Sequence, residues 1–307
     1  MNSLVGHTGF VGSNISAKAK FDGLYNSKNI EEAFDTKPEL LVYSGLRAEK
    51  FLANKEPQKD YEAVEKAITN IKNINPKTLV LISTIDVYKN PVDVDEDTVI
   101  DTENINPYGL NRYYLEKWVE ENIDSHLILR LPGLYGKNIK KNFIFDMINI
   151  IPSMLTEKKF NELFKINQVL TNYYTNIHNG FYKCNNLTEG ERRELKAYFN
   201  SVGFTALNFS DSRASFQFYN LSFLWKHIQY ALENNIKKLN ISTEPITTGE
   251  LYKYIKEATF RNEIIDVPMN YNFRTKYSEF LGGKNGYIFN KEFVLNDIKK
   301  FMEEYSL

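Results

Sequence analysis

Two side chains that could do chemistry together lie four residues apart in the stretch INPYGLNRYYLEKW, residues 105–118. Tyr108 and Arg112 occupy positions i and i+4 of an amphipathic run, so a helix would carry both on one face. A phenol has an ordinary pKa near ~10, and an adjacent cation favours its ionised form. The spacing therefore predicts a proton-transfer pair. The alternative is that both are ordinary surface side chains, with Arg112 in an exposed ion pair with Glu116.

A second stretch, GHTGFVGSN, could bind phosphate. Gly6, Gly9 and Gly12 lie three apart, directly after an apolar strand and at the start of a helix. Glycine lets the backbone turn tightly and approach a pyrophosphate, and this placement favours dinucleotide binding over a merely tight turn.

The type of dinucleotide depends on the end of the second strand, which we place at FDGLYNSKN. NAD usually meets an acidic residue there, whereas NADP prefers polar or basic groups around its extra phosphate. Asp22 is expected at the start of this strand, on the wrong side of it, so the balance favours NADP, with NAD as the alternative. The candidate cofactor residues are Gly6, Thr8, Gly9, Phe10, Val11, Gly12, Asn26, Ser27 and Lys28.

These residues must be positioned by an alternation of strands and helices. Apolar runs at 3–5, 40–44, 78–83 and 126–131 predict strands, and the patterns at 59–73 and 108–122 predict the clearest helices. Such alternation is typical of an α/β protein with a doubly wound parallel sheet of the Rossmann type.

The domain organisation follows from where this pattern loosens. We expect residues 1–136 to form the Rossmann domain, with about 214–242 returning to it. Residues 137–213 and 243–307 are expected to form a smaller α+β subdomain that binds substrate, irregular between 155 and 210.

Composition excludes several classes of protein. The chain has 307 residues and a formal net charge of -1, so nothing draws it to nucleic acid or to anionic membranes. The single cysteine, Cys184, rules out an internal disulfide framework, and the histidines show no metal-ligand spacing. We expect a cytoplasmic protein with no membrane span and no metal.

Four segments resemble one family, the extended short-chain dehydrogenase/reductases that act on nucleotide sugars. GHTGFVG is similar to its phosphate loop and LISTIDVY to its fourth strand. NPYGLNRYYLEKW is similar to its catalytic helix, and LRLPGLYG to the strand and turn that follow. SRASFQFYNL, residues 212–221, resembles a later segment with an arginine that reaches the substrate pyrophosphate.

The resemblance implies roles for individual residues. Thr84 would bind the substrate carbonyl oxygen, Tyr108 would be the catalytic acid or base, and Arg112 would replace the family's lysine. Arginine stays charged, but its planar fork does not reproduce the compact contacts of an ammonium group with both ribose hydroxyls. The implied substrate-binding residues are Asp86, Gly133, Asn142 and Arg213.

Two departures bear on the reaction that the resemblance implies. Family dehydratases follow the threonine with an Asp-Glu pair, whereas here Ile85 and Asp86 follow Thr84, which argues against water elimination. Gly133 replaces an asparagine that usually binds substrate, which removes an amide contact and is expected to leave space.

The resemblance therefore implies an NADP- or NAD-dependent enzyme that moves a hydride at a sugar carbonyl. The short second-strand region favours a keto-sugar reductase, with a nucleotide-sugar epimerase close behind. A non-catalytic dinucleotide-binding protein is the third reading. Family members often form dimers through two helices of each subunit, so a homodimer is expected.

Overall fold

The computed structural model describes residues 1–178 and 180–305, and its centre is a six-stranded sheet in the order β12-β5-β4-β3-β1-β2. All neighbouring pairs in this sheet are parallel. The predicted α/β class with a Rossmann-type parallel sheet is confirmed. The strands of the sheet are β1 (Asn2–Val5), β2 (Gly23–Tyr25), β3 (Leu40–Tyr43), β4 (Thr78–Thr84), β5 (His126–Leu131) and β12 (Lys238–Asn240).

Apolar side chains cover both faces of this sheet, as a doubly wound fold requires. One core contains Leu4, Val42 and Val80, and the other contains Val5, Leu41 and Leu81, because successive strand residues point to opposite faces. The helices that follow or cover these strands are α1 (Phe10–Ser16), α2 (Lys50–Lys55), α3 (Pro57–Ile74), α4 (Pro107–Asn122), α9 (Leu224–Glu233) and α11 (Lys291–Tyr305).

The rest of the chain forms shorter elements. Parallel β6 pairs with β11, antiparallel β10 pairs with β13, and β7, β9 and β8 form an antiparallel sheet. The strands are β6 (Gly133–Tyr135), β7 (Met154–Thr156), β8 (Tyr174–Asn176), β9 (Phe181–Cys184), β10 (Ser215–Phe216), β11 (Phe218–Asn220) and β13 (Ile246–Thr247). The helices are α5 (Phe143–Asn149), α6 (Glu157–Phe164), α7 (Leu170–Tyr173), α8 (Glu189–Ser201) and α10 (Thr248–Lys256).

The chain divides into two compact units. We call the first the sheet unit, which comprises Met1–Ile139, Ser215–Thr247 and Met269–Glu303. The second, the small unit, consists chiefly of Lys140–Ala214 and Thr248–Pro268. We expected residues 243–307 in the substrate subdomain. In the structure, most of this segment lies in the sheet unit.

The small unit has a core of its own, although its sequence looked irregular. Phe160 on α6 stacks on Tyr182 of β9 with ring centroids 3.7 Å apart, and Leu195 and Phe199 of α8 are fully buried. Strands of three or four residues alternate too few times to give a periodic signal, which explains why the sequence pattern missed this sheet.

None of the helices within 1–178 and 180–305 combines the length and the apolar character needed to cross a bilayer.

Candidate active site

The glycine loop joins β1 to α1 at the edge where the parallel strands end. Gly6 has φ +88°, and a Cβ there would lie 2.5 Å from the Ser44 carbonyl oxygen that follows β3. A Cβ on Gly12 would lie 2.2 Å from the Gly6 carbonyl oxygen. Both positions therefore require glycine. In chain order the strands pass from β2 on one side of β1 to β3 on the other, and such a reversal opens the crevice where α/β proteins bind ligands.

The predicted end of the second strand lies beside this loop. The Gly6 N–H donates to the Tyr25 carbonyl at 2.7 Å, and His7 Nδ1 is 3.1 Å from the same oxygen. Ser27 and Lys28 follow as exposed side chains. Asp22 lies at the other end of the strand, where its carboxylate accepts a hydrogen bond from the Asn2 N–H at 2.7 Å.

The start of α4 places Tyr108 beside the end of β4. Asn106 caps the helix by accepting from the Gly109 N–H at 3.0 Å, and Asn54 Oδ1 accepts from the Tyr108 N–H at 2.9 Å. Gly109 permits a close approach, because a Cβ there would lie 2.0 Å from the Asp86 carbonyl oxygen. The Asn-Pro-Tyr-Gly sequence thus serves as cap, first helical turn and contact surface.

The side chains of Tyr108 and Thr84 lie near each other at this point. Tyr108 is 6% exposed, and burial raises the pKa of its phenol above the ordinary value. The Arg112 charge and a hydrogen bond with Thr84 lower this pKa, while the carboxylates of Asp86 and Asp60 raise it. The net direction is upward, so Tyr108 is protonated near neutral pH.

Arg112 has a partner that the sequence did not suggest. Its Nη1 and Nη2 donate to the two carboxylate oxygens of Asp60 on α3 at 2.9 and 3.0 Å, and Nη2 also donates to the Arg47 carbonyl at 2.9 Å. The guanidinium group lies 4.6 Å from the centre of the Tyr108 ring. Arg112 is therefore a buried, paired cation that supports the tyrosine ring.

The surface ion pair considered for Arg112 does not form. Glu116 is fully buried and binds Arg130 of β5 instead, with Arg130 Nη2 2.6 Å from its Oε2. Ser83, next to Thr84, donates to the same carboxylate at 2.5 Å. Helical spacing places Glu116 within reach of Arg112, but Glu116 pairs with Arg130 of the neighbouring strand β5.

Asp86 has contacts that no motif indicated. Its Oδ1 accepts from Lys50 Nζ at 2.8 Å and from the Tyr271 hydroxyl at 2.8 Å, and Lys50 Nζ is 3.2 Å from that hydroxyl. Lys50 begins α2, and Tyr271 lies near the end of the chain. Thr84, Tyr108, Asp86, Lys50 and Tyr271 all belong to the sheet unit.

The space expected at Gly133 is filled. A Cβ there would be 3.0 Å from the Gln217 carbonyl oxygen and 3.4 Å from the Phe218 ring, because β6 packs against β11. Glycine at this position therefore serves strand packing.

The remaining two substrate candidates belong to the small unit. Asn142 caps α5 by accepting from the Phe145 N–H at 3.2 Å. Arg213 donates from Nε and Nη2 to Asp211 at 2.9 and 2.8 Å, and this pairing lowers the pKa of Asp211 far below its usual range. One bidentate edge of Arg213 is therefore already occupied.

Comparison with known proteins assigns the chain to a family. The family model described as the RmlD substrate binding domain matches residues 4–158, just over half of the 307 residues. The chain belongs to this family. The resemblance to extended short-chain dehydrogenase/reductases of nucleotide-sugar metabolism is confirmed. No curated protein sequence matches the chain.

Solved structures share the fold at low identity. The dTDP-4-dehydrorhamnose reductase of Bacillus anthracis, in complex with NADP, is 14% identical over 99% of each chain with a TM-score of 0.63. The UDP-glucose 4-epimerase of Thermotoga maritima, with UDP-glucose, is 15% identical over 99% of this chain and 98% of that one, with a TM-score of 0.65. A GDP-D-glycero-L-gluco-heptose synthase from Campylobacter jejuni, in the presence of NADPH, is 16% identical over 100% and 98%, with a TM-score of 0.60.

Proposed function

We propose that this RmlD-family protein is an NADPH-dependent reductase of a nucleotide-linked keto-sugar. The observation that carries the proposal is the placement of Tyr108, at the start of α4, beside Thr84, at the end of β4. Two hydroxyl groups held together can bind one carbonyl oxygen and hold it in line for reduction. The similarity to a dTDP-4-dehydrorhamnose reductase in complex with NADP supports the same activity.

The protonation of Tyr108 favours the direction of reduction. A keto-sugar that accepts a hydride at its carbonyl carbon needs a proton on the oxygen, and burial keeps Tyr108 protonated. An epimerase begins instead by oxidising a hydroxyl group, for which the tyrosine must first lose its proton. The raised pKa of Tyr108 therefore supports our preference for the reductase over the epimerase.

The cofactor proposed is NADPH, which supplies the hydride when it is bound. The loop with Gly6, Gly9 and Gly12 fits a pyrophosphate because its close turns need glycine and leave Thr8 and Gly9 exposed. Ser27 and Lys28 are exposed beside that loop, and a hydroxyl with a cation suits the additional phosphate of NADPH. Phe10 and Val11 follow this loop as the first residues of α1.

Arg112 supports a second candidate function, a dinucleotide-binding protein without turnover. In the resemblance, its position belongs to a lysine that binds the ribose hydroxyls, but here Asp60 engages both terminal nitrogens. The Arg112 side chain is only 4% exposed. If the ribose contact is essential, this exchange removes it.

Turnover and binding separate these functions. We would follow NADPH oxidation with dTDP-4-dehydrorhamnose and related keto-sugar nucleotides, and measure NADPH affinity by calorimetry. Tyr108→Phe should lower turnover about 100-fold or more and leave NADPH affinity unchanged, because it removes only the proton donor. Tyr113→Phe, on the same helix, is the control and should retain turnover.

The outcomes are distinct. Equal turnover in Tyr108→Phe and the unsubstituted protein would refute the proton-donor role. NADPH binding without oxidation of any keto-sugar would favour the non-catalytic protein. A tightly retained NAD, released only on denaturation, would favour the epimerase.

A homodimer is proposed through the helix pair α3 and α4. Leu110 and Tyr114 on α4 are 39% and 43% exposed, and the ring of Tyr61 on α3 lies 5.3 Å from that of Tyr114. An exposed apolar patch across two adjacent helices suits pairing with a second copy.

A further inference from the structure

Three side chains outside the Tyr-Arg motif form a polar cluster in the sheet unit. Lys50 and Tyr271 both donate to Oδ1 of Asp86 at 2.8 Å, from an ammonium and a phenol respectively. The side chains of Lys50 and Asp86 are 35% and 17% exposed, so the cluster reaches solvent. We call these three residues the Asp86 cluster.

The geometry of the cluster is fixed on the side of Tyr271. The Tyr271 ring stacks on Phe216 with centroids 5.7 Å apart and an interplanar angle of 25°. Its backbone N–H donates to the Ser215 carbonyl at 3.0 Å. Burial, followed by the charge of Asp86, raises the pKa of the Tyr271 phenol far above its ordinary value, so the hydroxyl remains a donor.

The second oxygen of Asp86 is the unused atom. Within residues 1–178 and 180–305, Oδ2 of Asp86 makes no hydrogen bond, whereas Oδ1 accepts two. An ionised carboxylate can only accept, so its natural partner is a hydroxyl or an N–H group. The position lies near the reacting groups, since the Asp86 N–H donates to Thr84 Oγ1 at 3.2 Å and the Asp86 carbonyl lies against Gly109, next to Tyr108.

We propose that Lys50 and Tyr271 are positioning residues that hold Asp86 so that its Oδ2 binds a hydroxyl group of the sugar ring in a nucleotide sugar. This inference rests on the proposed function, because it assumes a sugar next to Tyr108. It adds to that function two residues, distant in sequence, that decide recognition of the sugar rather than of the nucleotide. Lys50 also supplies a partly exposed ammonium group, whereas Arg112 is buried and paired.

The test compares a sugar nucleotide with the nucleotide alone. Calorimetry on the full chain would measure UDP-glucose against UDP, dTDP-glucose against dTDP and GDP-mannose against GDP, and the pair that binds most tightly is then used. Lys50→Met and Tyr271→Phe should each weaken sugar-nucleotide binding about tenfold and leave nucleoside diphosphate binding unchanged, because a hydrogen bond to a charged group is lost or misplaced. Lys50→Arg should restore most of the affinity.

The matched control is Lys55→Met, which removes an exposed ammonium group from the same helix. It should change neither affinity. Unchanged sugar-nucleotide affinity in Lys50→Met and Tyr271→Phe would overturn the proposal. Equal weakening of sugar nucleotide and nucleoside diphosphate would also overturn it, because that result indicates a general role in the fold.

The proposed function is tested separately on the same samples by NADPH binding. If the protein binds sugar nucleotides through the Asp86 cluster but binds no dinucleotide, this inference is supported and the reductase function is refuted. If the protein reduces a keto-sugar with NADPH, and its Lys50 and Tyr271 variants behave like the unsubstituted protein, the reductase function is supported and this inference is refuted. If no sugar nucleotide binds more tightly than the corresponding nucleoside diphosphate, the sugar contributes no binding and this inference is refuted.

Discussion

Removal of the Asp60 carboxylate should destabilise the protein strongly, because it leaves Arg112 buried and unpaired. The side chains of Arg112 and Asp60 are 4% and 12% exposed, and the two parallel hydrogen bonds between them measure 2.9 and 3.0 Å. Asp60 also accepts from Asn111 Nδ2 at 2.9 Å. One carboxylate thus compensates a cation and an amide that have little access to water.

The magnitude follows from the burial. Loss of one partner of a buried ion pair costs about 3–5 kcal/mol, mostly because the remaining charge stays desolvated. We therefore expect Asp60→Ala to lower the free energy of unfolding by about 3–5 kcal/mol. The double variant Asp60→Ala with Arg112→Met removes both charges, so its loss should be smaller than the sum of the two single losses by about 2 kcal/mol.

Urea unfolding of the four proteins, monitored by circular dichroism, measures these energies. Glu56→Ala is the control, since its carboxylate belongs to an exposed pair with Lys59 and should leave stability unchanged. A loss below about 1 kcal/mol in Asp60→Ala, or strictly additive losses in the double variant, would refute the argument that Arg112 depends on Asp60.

Two further predictions concern backbone packing and pH. Gly109→Ala should lower both thermal stability and turnover, because its Cβ would lie 2.0 Å from the Asp86 carbonyl oxygen. Gly190→Ala on α8 has open space around its Cβ and should be neutral or slightly stabilising. Equal effects of the two substitutions would contradict this prediction. Burial lowers the pKa of His227 to about 4 in the folded protein, so as the pH falls the unfolded chain is protonated at this histidine before the folded protein is. The free energy of unfolding should therefore fall by about 3 kcal/mol as the pH drops from about 6.5 to about 4. Unfolding measured across that window should show a weaker pH dependence in His227→Gln; an unchanged slope would exclude this histidine as the cause.

The sequence predicted the parts of the site that are built within one short segment. The glycine loop needs glycine for reasons of local geometry, and the amphipathic run that begins at Tyr108 predicts the helix that carries it. Alternating strands and helices likewise predicted a parallel sheet, whose strands end at one edge. Such features depend on the geometry of a few neighbouring residues, so their spacing in the sequence is informative.

Partners that are remote in the chain were decided only by the tertiary structure. Arg112 was considered with Glu116, one helical turn away, but it pairs with Asp60, 52 residues distant, because α3 packs beside α4. Asp86 meets Lys50 across 36 residues and Tyr271 across 185. A charged side chain binds whichever opposite charge the packing brings nearest, and no local pattern contains that information. The sequence thus determined which groups could do chemistry, and the packing of the sheet unit decided which charges surround them.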